Sequence, residues 1–301
     1  MDTIRYDGKV AIVTGAGGGL GRTHSLLLAS RGAKVVVNDL GGSAFGEGKD
    51  TTPAQKVVNE IKAAGGEAVA NYDSVTNGEK IVQAALDSFG RVDIVINNAG
   101  ILRDKSFHKM TDEDWNLIFD VHVQGSYKVT KAAWPYMRDQ SYGRIVLTSS
   151  AAGIYGNFGQ ANYSAAKMAL IGFGQTLALE GKNRNVLVNI IAPIAGSRMT
   201  ATVLSEDLIN MLKPEYVSPL VAYLCSDQCT ETGSLYEVGA GCIHRLQWLR
   251  SVGVMLPLKE GIKIEDVAKN FEKINDMTNA KVFRTIGESS MSIMGNLASA
   301  Q

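Results

Sequence analysis

The chain has 301 residues, 45% of them apolar and 20% charged, and its thirty Lys and Arg balance thirty Asp and Glu. That length suffices for one large core with a smaller appended unit. A formal charge of zero gives no broad field to attract nucleic acid or an anionic membrane, so neither is expected as a partner.

No window approaches the roughly 20 consecutive apolar residues that span a bilayer. The polar start, residues 1–8, runs straight into a strand and does not read as a secretory signal. Three cysteines predict no disulfide framework and fit a reducing compartment.

In chain order, a Val- and Ile-rich run at 10–13 opens the series. It is followed by Thr14-Gly15-Ala16-Gly17-Gly18-Gly19-Leu20-Gly21 and then a helical pattern. A glycine turn between strand and helix is the dinucleotide-binding arrangement. Gly15 permits the tight turn, Gly19 lets a pyrophosphate approach the backbone, and Gly21 allows close helix–strand packing. Leu20 sits among the first amides of the helix, whose unpaired N–H groups and positive dipole end suit phosphate.

A second strand at 34–39 ends on Asp39, twenty residues after Gly19. A carboxylate there accepts from an adenosine ribose and repels a 2′-phosphate, which predicts NAD over NADP. Neither Gly18 nor Leu40 offers a cation to a phosphate; Lys49, in the polar loop inserted over 41–52, is the residue placed to reverse that preference. A helix over 54–64 and a third strand at 68–72 follow. Asp73 then stands where it can accept from an adenine amino group or cap a turn. After a helix over 80–89, the strand at 92–97 closes on Asn97-Asn98-Ala99-Gly100, whose small residues let backbone approach a nucleotide.

Thr111-Asp112-Glu113-Asp114 reads as a capped start to a long helix. The strand at 144–149 leads to Ser150. Beyond it Tyr163 and Lys167 lie four apart on a helix and so share a face. A phenol titrates near 10 and is too weak a base at neutrality, but an ammonium beside it favours the phenolate and is expected to lower that value. Ser150 is then placed to hold a substrate oxygen.

Strands at 187–192 and 235–238 complete seven. This strand–helix alternation predicts an α/β, doubly wound Rossmann fold with a mostly parallel seven-stranded sheet over residues 1–241. Cys225, Cys229, Cys242 and His244 invite a zinc reading, but Cys225 ends an apolar helical run and reads as a packed residue, so no metal is expected. Residues 242–301 form a C-terminal helical extension expected to pack on the domain or on a partner subunit. Its helix over 265–276 is expected to turn Val267, Phe271 and Ile274 inward.

The glycine turn, Asn-Asn-Ala-Gly, Ser150 and Tyr163-x-x-x-Lys167 occur in the order of the short-chain dehydrogenase/reductase family, which the chain resembles from residue 7 to 241. The resemblance implies that Ser150 polarises the substrate oxygen, Tyr163 transfers the proton, and Lys167 binds nicotinamide ribose while tuning Tyr163. One departure stands out. Where most members carry an Asn that supports a proton-relay water, this chain has His122.

Residues 38–42, 100–104, 153–163 and 195–200, with the inserted loop, are similar to the (3R)-hydroxyacyl-CoA dehydrogenase module of peroxisomal multifunctional enzymes, where His also stands at this position. That similarity implies oxidation of a (3R)-3-hydroxyacyl-CoA in fatty-acid β-oxidation, a homodimer, a mobile substrate loop over 194–215, and residence in the peroxisome. The last residues, Ser299-Ala300-Gln301, are not a Ser-Lys-Leu type address. Two other readings are an NADPH-linked 3-ketoacyl reductase or steroid or alcohol dehydrogenase of the same fold, and a non-catalytic NAD-sensing module. Asp39 counts against NADPH, and the intact Ser150, Tyr163 and Lys167 count against a silent module.

Overall fold

The computed structural model describes residues 3–195, 211–258 and 261–298, so most of the substrate loop expected over 194–215 lies outside the described residues. The chain divides into two compact units, Met1–Arg245 and Leu246–Gln301.

The first unit is built on β1 (Val10–Thr14), β2 (Lys34–Asn38), β3 (Glu67–Asn71), β4 (Ile94–Asn97), β5 (Gly143–Thr148), β6 (Val186–Pro193), β7 (Leu235–Gly239) and β8 (Cys242–Leu246). They lie in the order β3-β2-β1-β4-β5-β6-β7-β8. Every pairing from β3 to β7 is parallel. Parallel strands need crossovers, and helices supply them: α1 (Gly19–Ser30), α2 (Thr52–Ala63), α3 (Gly78–Phe89), α4 (Asp112–Phe119), α5 (Gly125–Asp139), α6 (Ala151–Tyr155), α7 (Ala161–Gly181) and α8 (Ser218–Leu224). Because helices cover both faces, the central strands are buried along their whole length. Ile12, Val36, Val95 and Ile190 are each sealed from solvent.

The chain runs outward to β3 and then returns to place β4 beside β1. The carboxyl ends of β1 and β4 therefore flank the point where strand order reverses, the crevice in which such sheets bind ligands. Thr111 caps α4 as its sequence predicts. Its Oγ1 accepts from Asp114 N–H at 3.1 Å, and Asp114 Oδ2 reaches back to Thr111 N–H. Between α4 and α5 the helix widens into a π-turn, Asp120–Gln124, which holds His122. Single π-turns of this kind often mark functional positions.

The sheet has eight strands, not the seven expected. Ala240 and Gly241 take φ +50° and +78°, the left-handed pair of a tight hairpin, and fold β8 back along β7. None of the residues of β8 is buried, so no apolar run betrays it in the sequence.

In the second unit, β9 (Leu249–Arg250) pairs antiparallel with β10 (Lys281–Val282), beside α9 (Ile264–Asn275) and α10 (Ile286–Ala298). Arg250 organises it: its guanidinium lies 3.7 Å from the Phe283 ring centroid and donates to Ser289 and Ser292 at 2.9 Å each. Val267 and Phe271 do not turn inward as expected; they are 38% and 59% exposed. Ile274, the third residue of that apolar face, is half-buried, so among the described residues this unit covers only the end of the face.

Candidate active site

The sequence-predicted residues converge at the carboxyl ends of β1, β4 and β5. Gly15 takes φ +62°, and a Cβ there would lie 2.7 Å from Ala99 Cα. A Cβ on Gly21 would lie 2.3 Å from the Gly15 carbonyl oxygen, so only glycine lets α1 seat against the turn. Gly19 opens α1 at φ +50°, and a Cβ on either Gly18 or Gly19 would meet no atom within 4 Å. Leu20 packs its side chain against the core and leaves its amide as its contribution at the helix start.

Asp39 is fixed beside this turn. Its two carboxylate oxygens accept from Gly17 N–H and Gly41 N–H, each at 2.7 Å, tying the glycine turn to the start of the insert. Asp73 is held by Asn71, which donates from Nδ2 to Oδ2 at 2.9 Å; Asn38 in turn donates to Asn71 Oδ1 and to the Asp73 carbonyl. Asn98 donates to the carbonyls of Thr14 and Gly15 at 2.9 and 3.1 Å, locking β4 to the turn. Open glycine backbone at a helix start, with a carboxylate at the end of β2, fits the pyrophosphate and adenosine ribose of a dinucleotide.

Tyr163 and Lys167 rise from α7 on one face. Lys167 is 3% exposed; its Nζ donates to the Thr148 carbonyl at 2.7 Å and lies 5.4 Å from the Tyr163 ring centroid. Ser150 starts α6, its hydroxyl accepting from Ala152 N–H at 3.2 Å, and it lies close enough to Tyr163 to favour the ionised phenol. The His122 ring meets Tyr163 edge-on, with centroids 5.3 Å apart and planes at 89°. His122 Nε2 sits against both the N–H and the carbonyl of Ile101, while Nδ1 is buried with no partner. A Cβ on Gly100 would come within 2.6 Å of His122 Cε1, so the glycine makes room for the ring.

A short chain dehydrogenase model matches residues 9–207. The chain belongs to the short-chain dehydrogenase family. It is 58% identical over 292 residues to peroxisomal multifunctional enzyme type 2 of Mus musculus, covering 97% of this chain and 40% of that protein. A putative short-chain type dehydrogenase/reductase of Mycobacterium tuberculosis is 48% identical over 277 residues, covering 91% and 96% of the two chains. Among solved structures, full-length peroxisomal multifunctional enzyme type 2 from Drosophila melanogaster superposes with a TM-score of 0.86 at 46% identity, over 99% of this chain and 51% of that one. The chain thus spans only about 40% of the mouse relative's length. Members of this family are oxidoreductases that use a nicotinamide cofactor.

The electrostatics of this short-chain dehydrogenase site depart from one expectation. Burial raises the Tyr163 phenol above its ordinary value; the Ser150 hydroxyl opposes that shift and Asp104 adds to it. The effect of burial falls on Lys167 too, whose pKa is pushed down to about 7. The ammonium expected to acidify Tyr163 is itself destabilised by the same dry surroundings. His122 is held well below the imidazole range, first by burial and then by the Lys167 charge, partly offset by its Ile101 hydrogen bond. It is therefore a neutral hydrogen-bonding ring at physiological pH.

Four partners carry no signal in the sequence. Thr14 Oγ1 accepts from the N–H groups of Asn98 and Ala99 at 3.0 and 3.1 Å. The Thr148 carbonyl holds Lys167, and the Ile101 peptide holds His122. Asn162 donates to the carbonyls of Arg103 and Asp114 and accepts from Tyr163 N–H, seating the start of α7. Two of these are backbone groups, which no residue type announces. Asn162, buried next to Tyr163, is the one a closer reading of polar residues beside the motif would find. The cysteines fall outside the site: Cys225 and Cys229 are buried and Cys242 is exposed. Among the described residues no cluster of His, Cys, Asp or Glu is arranged to hold a metal ion, and no helix is long and apolar enough to cross a membrane.

Proposed function

We propose that the chain oxidises a (3R)-3-hydroxyacyl-CoA to the 3-ketoacyl-CoA with NAD, as a step of peroxisomal fatty-acid β-oxidation. The observation that carries the chemistry is the pair Tyr163 and Lys167 on one face of α7, 5.4 Å from ring to amine, with Ser150 beside the phenol. The substrate class and the peroxisomal setting rest on kinship with the multifunctional enzymes, most of whose length lies outside this chain.

Gly15, Gly19, Leu20 and Gly21 would hold the pyrophosphate, Asp39 the adenosine ribose, Asp73 the adenine, and Asn98, Ala99 and Gly100 the backbone-lined floor, with Tyr163 and Lys167 toward the nicotinamide ribose. The nicotinamide ring, when bound, supplies the acceptor for the hydride leaving C3. Ser150 donates a hydrogen bond to the substrate oxygen, and Tyr163 accepts the proton of the C3 hydroxyl as the carbonyl forms. Burial pushes Lys167 down to about 7, so near neutral pH part of its amine is unprotonated and can take up the proton that Tyr163 gives up as it accepts the one from the C3 hydroxyl. His122 takes the place of the family Asn, its unpartnered Nδ1 offering a hydrogen bond to a relay water. Asp39 faces the ribose with a negative charge, which favours NAD over NADP.

The chain acts as a homodimer. Exposed apolar side chains on α5 and α7, Tyr136 at 44% and Leu179 at 69%, favour a helix-to-helix interface, and the open face of α9 suits a subunit contact for residues 242–301. Initial rates with R and S substrates of two chain lengths, using each cofactor and read at the reduced-nicotinamide band, test the assignment. The R isomer with NAD should be fastest. Turnover of the S isomer alone, or a preference for NADP, would overturn it.

A further inference from the structure

At the opposite end of the sheet, the amino ends of β5 and β6 border a cavity of about 470 Å³ lined by Tyr142, Arg144, Lys182, Leu187, Asp227 and Cys229, among others. Arg144 lies six residues before Ser150, roughly 20 Å away along an extended strand. The cavity therefore belongs to neither the crevice nor the chemistry described above.

Arg144 is 3% exposed and has no carboxylate within ion-pair distance among the described residues. A buried guanidinium without a counter-ion carries a desolvation cost that an anion would relieve. Its donors are only partly used. Nε donates to the Ser226 carbonyl at 3.2 Å, and Nη1 donates to the carbonyls of Gly143 and Asn185 at 2.9 and 3.0 Å. Nη2 donates to none of them. The guanidinium also lies 4.4 Å from the centroid of the Tyr142 ring, on which Lys9 Nζ sits at 3.4 Å. Asp227, the one acid of the lining, already faces Lys9 at 3.4 Å. Lys182 adds a second cation at the rim and forms no ion pair among the described residues.

We propose that this cavity binds a phosphate group, free or as a monoester. The lining holds two cations, Arg144 and Lys182, and its one carboxylate, Asp227, already faces Lys9, which leaves a positive excess that an anion would balance. The spent Nε and Nη1 rule out the two-nitrogen fork that recognises a carboxylate, leaving the two N–H groups of a single nitrogen, which with a lysine suit a tetrahedral oxyanion. A phosphate fills only part of this volume, and the buried walls of Leu187 and Cys229 can take the apolar body of a monoester.

The test is calorimetric titration of the full chain with inorganic phosphate and with phenyl phosphate, at constant ionic strength. Lys182→Glu and Arg144→Gln are compared with a charge-matched control, Lys128→Glu, at an exposed site on α5. Lys182→Glu should weaken binding about tenfold and Arg144→Gln should abolish it, while the control binds as the unaltered chain does. Lys182 is exposed, so its variant keeps the test alive if Arg144→Gln fails to fold. Tighter binding of phenyl phosphate than of phosphate assigns a monoester, and equal binding assigns the free ion. No saturable binding, unaltered binding by Lys182→Glu, or equal loss in Lys182→Glu and the control would overturn the proposal.

Discussion

The two halves of the crevice are made of different materials. The half proposed for the cofactor is backbone: glycines at φ +62° and +50°, amide donors, and one aspartate clamped by two of those amides. The chemical half is side chain, with Lys167, His122 and most of Tyr163 buried, and each held away from its ordinary titration range by that burial. A backbone cradle presents fixed dipoles whose strength does not change with pH. Titratable groups in a dry pocket trade stability for reactivity and answer to every proton. The contrast predicts that damage to the first half shows in binding, and damage to the second in rate and pH profile.

The sharpest division should come from Tyr163→Phe, which removes the proposed proton acceptor and leaves the glycine turn untouched. Turnover should fall by at least about a thousandfold while the dinucleotide dissociation constant, read by fluorescence quenching, stays within about twofold. Gly21→Ala probes the other half. Its new methyl meets the Gly15 carbonyl, so cofactor affinity should drop about a hundredfold and stability should fall as well. A Gly21→Ala chain that loses rate but keeps affinity would break the comparison.

Lys167→Met should do two opposite things. In the unaltered chain the unfolded state binds more protons between pH 7 and the ordinary lysine range near 10.4, so the cost of burying this amine is full below pH 7 and fades as pH rises. Replacing it should raise the melting temperature by several degrees at pH 6 and by less at pH 9. Rate should fall steeply, and the rise of kcat/KM through pH 7 expected of the unaltered chain should move toward the phenol's own range. The smallest effect belongs to His122→Asn. As a neutral hydrogen-bonding residue of the family type, Asn should keep turnover within about tenfold, with His122→Leu falling further.

Seven strands were legible because helices cover both their faces and force unbroken runs such as 10–13 and 35–37 to be apolar. The eighth strand was not, since an exposed hairpin arm carries no such constraint. Helical periodicity correctly found α9 but misjudged Val267 and Phe271. A period reports that a helix has an apolar face and is silent on what meets it. In the site, Ser150, Tyr163 and Lys167 were legible from order and spacing. The carbonyls of Thr148 and Ile101 were not, because a peptide group looks alike under every side chain. The sign of the Tyr163 shift was also out of reach, since it depends on how dry the pocket is, and dryness is a property of packing.

The glycine at 100 and the imidazole at 122 occupy one shared volume, and that ties the history of the two positions together. A lineage with any larger residue at 100 has no way to acquire a ring at 122 in a single step, and one that already has the ring cannot regain the side chain. The glycine at 100 is compatible with either the ring or the shorter family Asn at 122, so the glycine facing an Asn is the natural stepping stone to the ring. A ring at 122 should therefore always be accompanied by glycine at 100 among relatives, although the two stand 22 positions apart.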